Sequence, residues 1–262
     1  MREIRRRSFG LPRLLLGAAA MMTLVGAAWI LGHLLFPPQV VLPAECPDPA
    51  LLAHRSNSVA LAEAAAFKGF CGLEVDIQWR DGSGLVVSHD ELPPTWSPAG
   101  SITLAGLLDS ISQQPFLLWL DFKNLSRENA TAAARYLHTL MQRRRLEGRL
   151  IVESRNPGAL WVFHRQVGGI VPAYWIPNRP AGRRGLVYDA KLALVLGSLA
   201  LPALSIPQKQ LTAEFAKRFR RFALLTWTCN TPEEMRTATE LGARVILTDK
   251  APEPANPTTD VR

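Results

Sequence analysis

The sequence predicts an α/β chain, a (β/α)8 TIM-type barrel preceded by one N-terminal transmembrane helix. Three observations carry this. From Leu51 onward, apolar strand-like runs alternate with helix-like stretches eight times over about 200 residues, near the lower size limit of such barrels. Several of those runs end in histidines, carboxylates or a lysine, as buried parallel strands do when chemistry sits at their carboxyl ends. Ahead of the alternation, an apolar run from Leu14 to Phe36 follows a cluster of arginines.

The strand candidates are Leu51–Arg55, Gly72–Ile77, Leu117–Lys123, Leu150–Ser154, Gly169–Ile176, Ala203–Ile206, Ala223–Cys229 and Ala243–Asp249. An extra strand, Leu85–His89, pairs with the second after a turn at Asp81-Gly82-Ser83-Gly84. Helices are expected at Val59–Phe67, at Leu104–Ser112 behind the N-cap candidate Thr103, and at the long amphipathic Glu128–Glu147. Asn156-Pro157 and Thr231-Pro232-Glu233-Glu234 read as helix starts, each a capping side chain followed by proline. The helix from Thr231 should stop at Gly242. The apolar stretch Leu192–Leu201 is about half the length of a membrane span, so it reads as a barrel helix. A doubly wound open sheet is the alternative, but no glycine-rich phosphate loop supports it.

At about 1.5 Å per residue the run 14–36 is long enough to cross a hydrocarbon core of about 30 Å. It exceeds the apolar region of a cleaved signal peptide and ends in Pro37-Pro38, so it reads as an uncleaved signal anchor. A signal peptide cut near Ala44 is the alternative; lipidation of Cys46 is disfavoured by Glu45 before it. The arginines before the run place the N-terminus in the cytoplasm and the rest on the extracytoplasmic side. The domain plan is then a basic segment 1–13, an anchor 14–36, a proline-rich tether 37–50, a barrel 51–252 and a disordered tail 253–262.

The formal net charge is +8, of which +4 comes from five arginines and one glutamate in 1–36. The remaining +4 is mild: it suits anionic substrates or membrane surfaces and does not call for nucleic acid. The runs Arg143-Arg144-Arg145 and Arg218 to Arg221 read as solvated helix faces. Cys46 and Cys71 both precede strands, at the amino ends of neighbours, and outside the cytoplasm they are expected to form a disulfide, leaving Cys229 as a buried free thiol.

Glu74 and Asp76 are two apart on one strand and face the same side, into the barrel mouth. Asp121 ends the next barrel strand, with Lys123 two residues on. Three converging carboxylates need counter-charge beyond one lysine, and an all-oxygen set favours one divalent cation, Mg²⁺ or Ca²⁺. A metal-free acid–lysine network is the alternative. His54 and His89, each at a strand end, suit general base and acid in phosphodiester cleavage, with the metal and Lys123 or Arg55 holding phosphoryl oxygens. Glu153 and Arg155 end the fourth strand and either extend the polar site or form a surface salt bridge; Trp175 and Trp227 are placed either to wall a headgroup pocket or to pack the barrel. Gln208 and Lys209 are further phosphate candidates, whereas His138 and His164 lie on helices and carry no role.

The order His54-Arg55, Glu74-x-Asp76, His89-Asp90 and Asp121-x-Lys123 resembles the glycerophosphodiester phosphodiesterases, within the phospholipase C-like phosphodiesterase barrels. The strand Thr226 to Asn230 and the closing Val245 to Asp249 add to the likeness, which runs from Leu51 to Pro252. The resemblance implies histidines 54 and 89 as base and acid, and Glu74, Asp76 and Asp121 as ligands of Mg²⁺ or Ca²⁺. The chain departs from the family pattern in Ser56 for the usual glycine, in the absence of the following Glu-Asn-Thr, in Asp121 for the usual glutamate, and in a short proline-rich loop, Glu91 to Gly100. His-x-x-Asn-Ser, Glu-x-Asp and Leu-Asp-Phe-Lys are similar to the menorin-like branch. The expected function is a membrane-anchored phosphodiesterase acting on a glycerophosphodiester or lipid headgroup. The alternative is a catalytically degenerate barrel that binds an envelope ligand or partner.

Overall fold

The structure, a computed structural model, describes residues 11–251 apart from 94, 113 and 114, with side chains described from residue 19 onward. The expected basic segment 1–13 falls largely, and the tail 253–262 wholly, outside the described residues.

Eight parallel strands close on one another: β1 (Ala50–Ala53), β2 (Gly72–Arg80), β4 (Leu117–Phe122), β5 (Leu150–Ser154), β6 (Ile170–Trp175), β7 (Ala203–Pro207), β8 (Ala223–Trp227) and β9 (Ala243–Thr248). Pairing of β1 with both β9 and β2 seals the barrel and excludes the open sheet. The ninth strand, β3 (Gly84–Val87), pairs antiparallel with the far end of β2, as its turn predicted. It ends at Val87 rather than His89, so Ser88 to Asp90 turn over the barrel mouth.

Helices α2 (Val59–Phe67), α3 (Leu104–Ser110), α4 (Ala130–Arg144), α5 (Pro157–His164), α6 (Arg183–Leu199), α7 (Ala213–Phe219) and α8 (Pro232–Glu240) surround the strands. Thr103 and Asn156 cap α3 and α5 by accepting from the Gly106 and Ala159 amides. Thr231 and Glu234 form a reciprocal capping box at α8, and Gly242 follows with φ +83°, a conformation only glycine adopts without cost. Two helices are shorter than their apolar patterns. Helix α3 stops at Ser110 because Ile111 turns extended into the core and Ser112 donates to the Glu63 carboxylate. Helix α4 begins after Asn129, which is held in a turn by Ser126, and ends where Arg145 takes a left-handed φ of 56°.

Strand periodicity sorts the core. One set of residues, among them Leu52, Leu117, Trp119, Ile151, Leu225, Val245 and Leu247, fills the barrel interior; the alternate set packs against the helices. Val40 of the tether plugs the N-terminal end of the interior. Gly72 sits where a Cβ would lie 1.8 Å from the Leu117 carbonyl oxygen, so only glycine lets β2 and β4 close there. Cys46 and Cys71 are joined at that same end, with Cα atoms 5.4 Å apart, and tie the tether to β2. Cys229 is free and buried, and burial pushes its thiol up to about 11.

The expected anchor falls on helix α1 (Leu11–Leu35). The side chains of its first portion, 14–18, lie outside the described residues. Among the described residues no helix is long and apolar enough to cross a membrane. The apolar stretch Leu192–Leu201 is taken up by α6, whose Leu192 and Leu196 are buried on the barrel wall.

Candidate active site

All the polar strand ends meet at the C-terminal mouth. Parallel register sets Asp76 of β2 beside Asp121 of β4, and Asp121 beside Glu153 of β5. Because side chains alternate, Glu74, Asp76, Asp121, Glu153, Trp175 and Trp227 all face inward. They line one cavity of about 80 Å³ with His54, Arg55, His89 and Lys123; Arg155 stands outside it over the Trp175 ring, and ten of the expected site residues are present in it. Gln208 and Lys209 are not: they form a short 3₁₀ turn (Gln208–Gln210) after β7, outside that cavity. His138 bonds Gln142 on the outer face of α4, and His164 lies on α5, away from the mouth.

One oxygen each from Glu74, Asp76 and Asp121 can be chosen so that all three lie within 4.8 Å of one another. Lys123 Nζ stands 2.6 Å from Asp76 and also bonds Asp121. One ammonium cannot balance three buried carboxylates. Burial, then the charges of Asp76 and Asp121, hold the Glu74 carboxyl well above the usual carboxylate range. Asp121 is also raised, again chiefly by burial, against the pull of Lys123. Burial works to lower Lys123, but the two aspartates outweigh it and its ammonium is stabilised. Asp121 Oδ1 is buried with no hydrogen-bond partner. An orphaned carboxylate oxygen within an all-oxygen acidic triad fits a hard divalent cation.

The triad is held from outside. The Arg55 amide donates to Glu74 Oε2 at 2.7 Å, made possible by the left-handed Arg55 backbone, φ 55°. Asn57 grips Asp76 twice: its side-chain amide donates to Asp76 Oδ2 at 2.5 Å and its oxygen accepts from the Asp76 amide at 2.9 Å. Asn57 thus has a definite part that its position in the His-x-x-Asn-Ser segment only hinted at.

The two histidines differ. His54 Nδ1 lies 2.9 Å from Asp249 Oδ1, which places the proton on Nδ1 and leaves Nε2 basic in the cavity. Asn230 donates to the other Asp249 oxygen at 2.7 Å and accepts from the Asp249 amide at 2.9 Å. Burial works to raise Asp249, but the hydrogen bonds from His54 and Asn230 prevail and hold it below the usual range. Sequence reasoning assigned neither Asp249 nor Asn230 a role; their signal was a polar residue just past each of the last two strands. His89 Nδ1 lies 2.8 Å from Asp90, and Arg55 donates to its Nε2 at 2.8 Å.

Glu153 forms the cavity floor, 2 % exposed, its Oε2 accepting from Trp119 Nε1 at 2.7 Å and Ser205 Oγ at 2.8 Å. Ser205 in turn accepts from Trp227 Nε1 at 2.7 Å. This chain of bonds fixes the Trp227 ring, which meets Trp175 edge-on at 5.1 Å and 86°. The Arg155 guanidinium covers Trp175 at 3.5 Å. Burial, then the charges of Asp121 and Glu74, keep Glu153 well above the usual carboxylate range. Trp119 and Ser205 were legible only as interior strand positions.

No family model matches the chain, and no curated protein matches it. Solved structures do. A glycerophosphodiester phosphodiesterase from Parabacteroides distasonis aligns with a TM-score of 0.62 at 21 % identity, over 78 % of this chain and 94 % of that one. A phosphodiesterase from Oleispira antarctica, in complex with the product sn-glycerol-3-phosphate, gives 0.59 at 16 %, over 78 % and 94 %. A glycerophosphoryl diester phosphodiesterase from Silicibacter pomeroyi gives 0.60 at 17 %, over 84 % and 94 %. The chain therefore has the parallel barrel fold of these phosphodiesterases, and its sequence resemblance and its fold point the same way.

Proposed function

We propose that this chain is a phosphoric diester hydrolase that cleaves a glycerophosphodiester or a lipid-derived phosphodiester with one bound divalent cation, Mg²⁺ or Ca²⁺. The observation that carries it is the His54–Asp249 pair facing the acidic triad with its unpartnered Asp121 oxygen. Glu74, Asp76 and Asp121 would hold the cation, which supplies positive charge against the phosphoryl oxygens. Arg55 and Lys123 both line the cavity and bind and orient the phosphate. His54 Nε2 takes the proton from the attacking hydroxyl, and Asp249 steadies the imidazolium that results. Phosphate binding draws Arg55 from His89 Nε2; once protonated, that nitrogen gives its proton to the leaving oxygen. Trp175 and Trp227 wall the leaving group.

The site is further proposed to sit outside the cytoplasm, tethered to a membrane by the helix that contains 14–36, with the arginines before it retained inside. A second reading, a binding module without turnover, draws support from the Arg55 bond that occupies His89 Nε2. Turnover separates the two. The full chain is assayed on glycerophosphodiesters and lysophospholipids with Mg²⁺ or Ca²⁺, with chelator, and as His54→Ala. Turnover that requires both cation and His54 supports the enzyme; cation binding with no turnover on any substrate supports the module.

A further inference from the structure

The two ends of the barrel are chemically unlike. Among its described side chains, helix α1 docks by those of its last turns. Trp29 Nε1 donates to the Ser198 carbonyl at 3.3 Å, and Arg221 donates to the Leu35 carbonyl at 2.6 Å. Gly197 lets α1 approach closely: a Cβ there would lie 2.8 Å from Ile30 Cγ2. Leu34 spans from that glycine, its Cγ 3.1 Å from such a Cβ, to a groove it shares with Ala190 and Ala193, further back along α6. As α1 advances from Trp29 to Leu34, α6 therefore recedes from Ser198 to Ala193, and the two are antiparallel. Helix α6 descends from the mouth toward the start of β7, so the earlier turns of α1 project past the N-terminal end of the barrel. Met21, Leu24 and Val25 on those turns are 67 %, 71 % and 64 % exposed.

That same end carries uncovered apolar residues ahead of the neighbouring strands β1, β2 and β4. Phe36 and Val41 follow α1, Phe67 closes α2 before β2, and Phe116 stands just before β4; they are 78 %, 77 %, 85 % and 43 % exposed. Lys68 next to Phe67 and Arg220 ahead of β8 are exposed at this end, as is Glu45 in the groove with Phe116, and Asp48 there is paired with Arg244. Aromatic and basic residues on the face past which an apolar helix projects match a lipid headgroup layer. The histidines lie at the other end, about 20 Å away along the strands, at about 3.3 Å per residue over the six residues of β4.

We propose that the N-terminal face of the barrel, bearing Phe36, Val41, Phe67, Lys68 and Phe116, rests on the lipid surface that α1 enters. The active-site mouth then faces away from that bilayer, and the substrate is a water-soluble phosphodiester rather than a lipid within it. The proposal rests on the anchoring and phosphodiesterase readings above. The outer face of α6, with Leu186, Val187 and Leu194 exposed, is the competing contact. An upright α1 keeps α6 upright, which lifts Leu186 about 18 Å above Ser198 at about 1.5 Å per residue, out of reach of the headgroups.

The test uses the full chain with Cys229→Ser, reconstituted in vesicles of phosphatidylcholine and phosphatidylglycerol that carry a nitroxide-labelled lipid. A fluorophore is attached at Phe67→Cys, Leu186→Cys or Glu91→Cys in turn; Glu91 borders the mouth. Quenching at Phe67→Cys with none at Glu91→Cys or Leu186→Cys is the expected result. Quenching at Glu91→Cys or Leu186→Cys equal to that at Phe67→Cys overturns the proposal, as does no quenching at Phe67→Cys. A chain that fails to float with vesicles after a carbonate wash refutes the anchoring reading and this orientation with it, a result read separately from quenching. In the same vesicles a soluble glycerophosphodiester should be turned over and a vesicle-embedded lysophospholipid spared; the reverse preference also overturns it. Absence of turnover on both refutes the phosphodiesterase reading and with it the substrate assignment, while the quenching still decides the orientation.

Discussion

Asp249→Asn tests the proposed chemistry without touching the cavity's acidic triad. Asp249 accepts from His54 Nδ1 at 2.9 Å and from Asn230 at 2.7 Å. An asparagine has one accepting oxygen for these two donors. If that oxygen keeps Asn230, its amide faces His54 Nδ1 and drives the imidazole proton to Nε2, where it blocks the base. If the amide flips, the Asn230 bond is lost, at about 0.5–1.5 kcal/mol. The imidazolium formed during the reaction also loses its charged partner. A hydrogen bond to a charged group is worth about 1.5–3 kcal/mol against about 1 for a neutral one, so about 0.5–2 kcal/mol more is lost. The sum, about 1–3.5 kcal/mol, lowers kcat by about 5- to 400-fold. KM and cation affinity should hold, since Asp249 is outside the cluster of Glu74, Asp76 and Asp121. Stability should change little, because the Asp249 side chain is 49 % exposed. Steady-state kinetics with a cation titration is the assay. A kcat within about twofold of the parent, or a loss confined to KM, refutes the view that Asp249 sets the His54 tautomer.

Four further outcomes are expected. Asp121→Asn should weaken Mg²⁺ or Ca²⁺ binding in calorimetry by about tenfold or more and abolish turnover, since a charged ligand in a buried site is worth at least about 1.4 kcal/mol. In chelator, urea denaturation should show stability falling as pH rises. Glu74 and Asp121 have folded-state pKa values raised above their unfolded ones, so the folded state binds more protons between those values, and the stability present below the unfolded pKa is lost through the raised folded pKa. Saturating cation should flatten that slope; a chelated protein whose stability is flat or rises over that window contradicts it. Reduction of Cys46–Cys71, which closes a loop of 25 residues, should cost about 3 kcal/mol in the same assay on the chain-entropy account. Gly72→Ala should lower the melting temperature sharply or prevent folding, because its Cβ would overlap the Leu117 carbonyl; an unchanged melting temperature counts against the closure at β2–β4.

Much of this molecule was legible in its residues. Strand alternation put Glu74, Asp76, Asp121 and Lys123 on one side of two strands, and that inward face is where they lie. The capping side chains of Thr103, Asn156 and Thr231 announced three helix starts, because a cap acts on amides two or three residues away. Helices α3 and α4 came out shorter than their apolar patterns, since the bonds that end them involve Glu63 and Ser126 rather than periodicity.

What is local along the chain was therefore determined by the sequence itself: strand faces, caps, and which polar side chains stand at strand ends. The tertiary structure decided which of those ends touch. His54 finds Asp249 across 195 positions, Glu153 finds Ser205 across 52 and Trp119 across 34, and Arg55 finds His89 across 34. Barrel closure sets these pairs through the registers of β1 on β9 and of β7 in the sheet, and no period or spacing encodes a register between strands so far apart. The direction in which α1 leaves the barrel was decided in the same way, by Gly197 offering the one close seat for Ile30 and Leu34 that the described residues of α6 show at the end opposite the histidines.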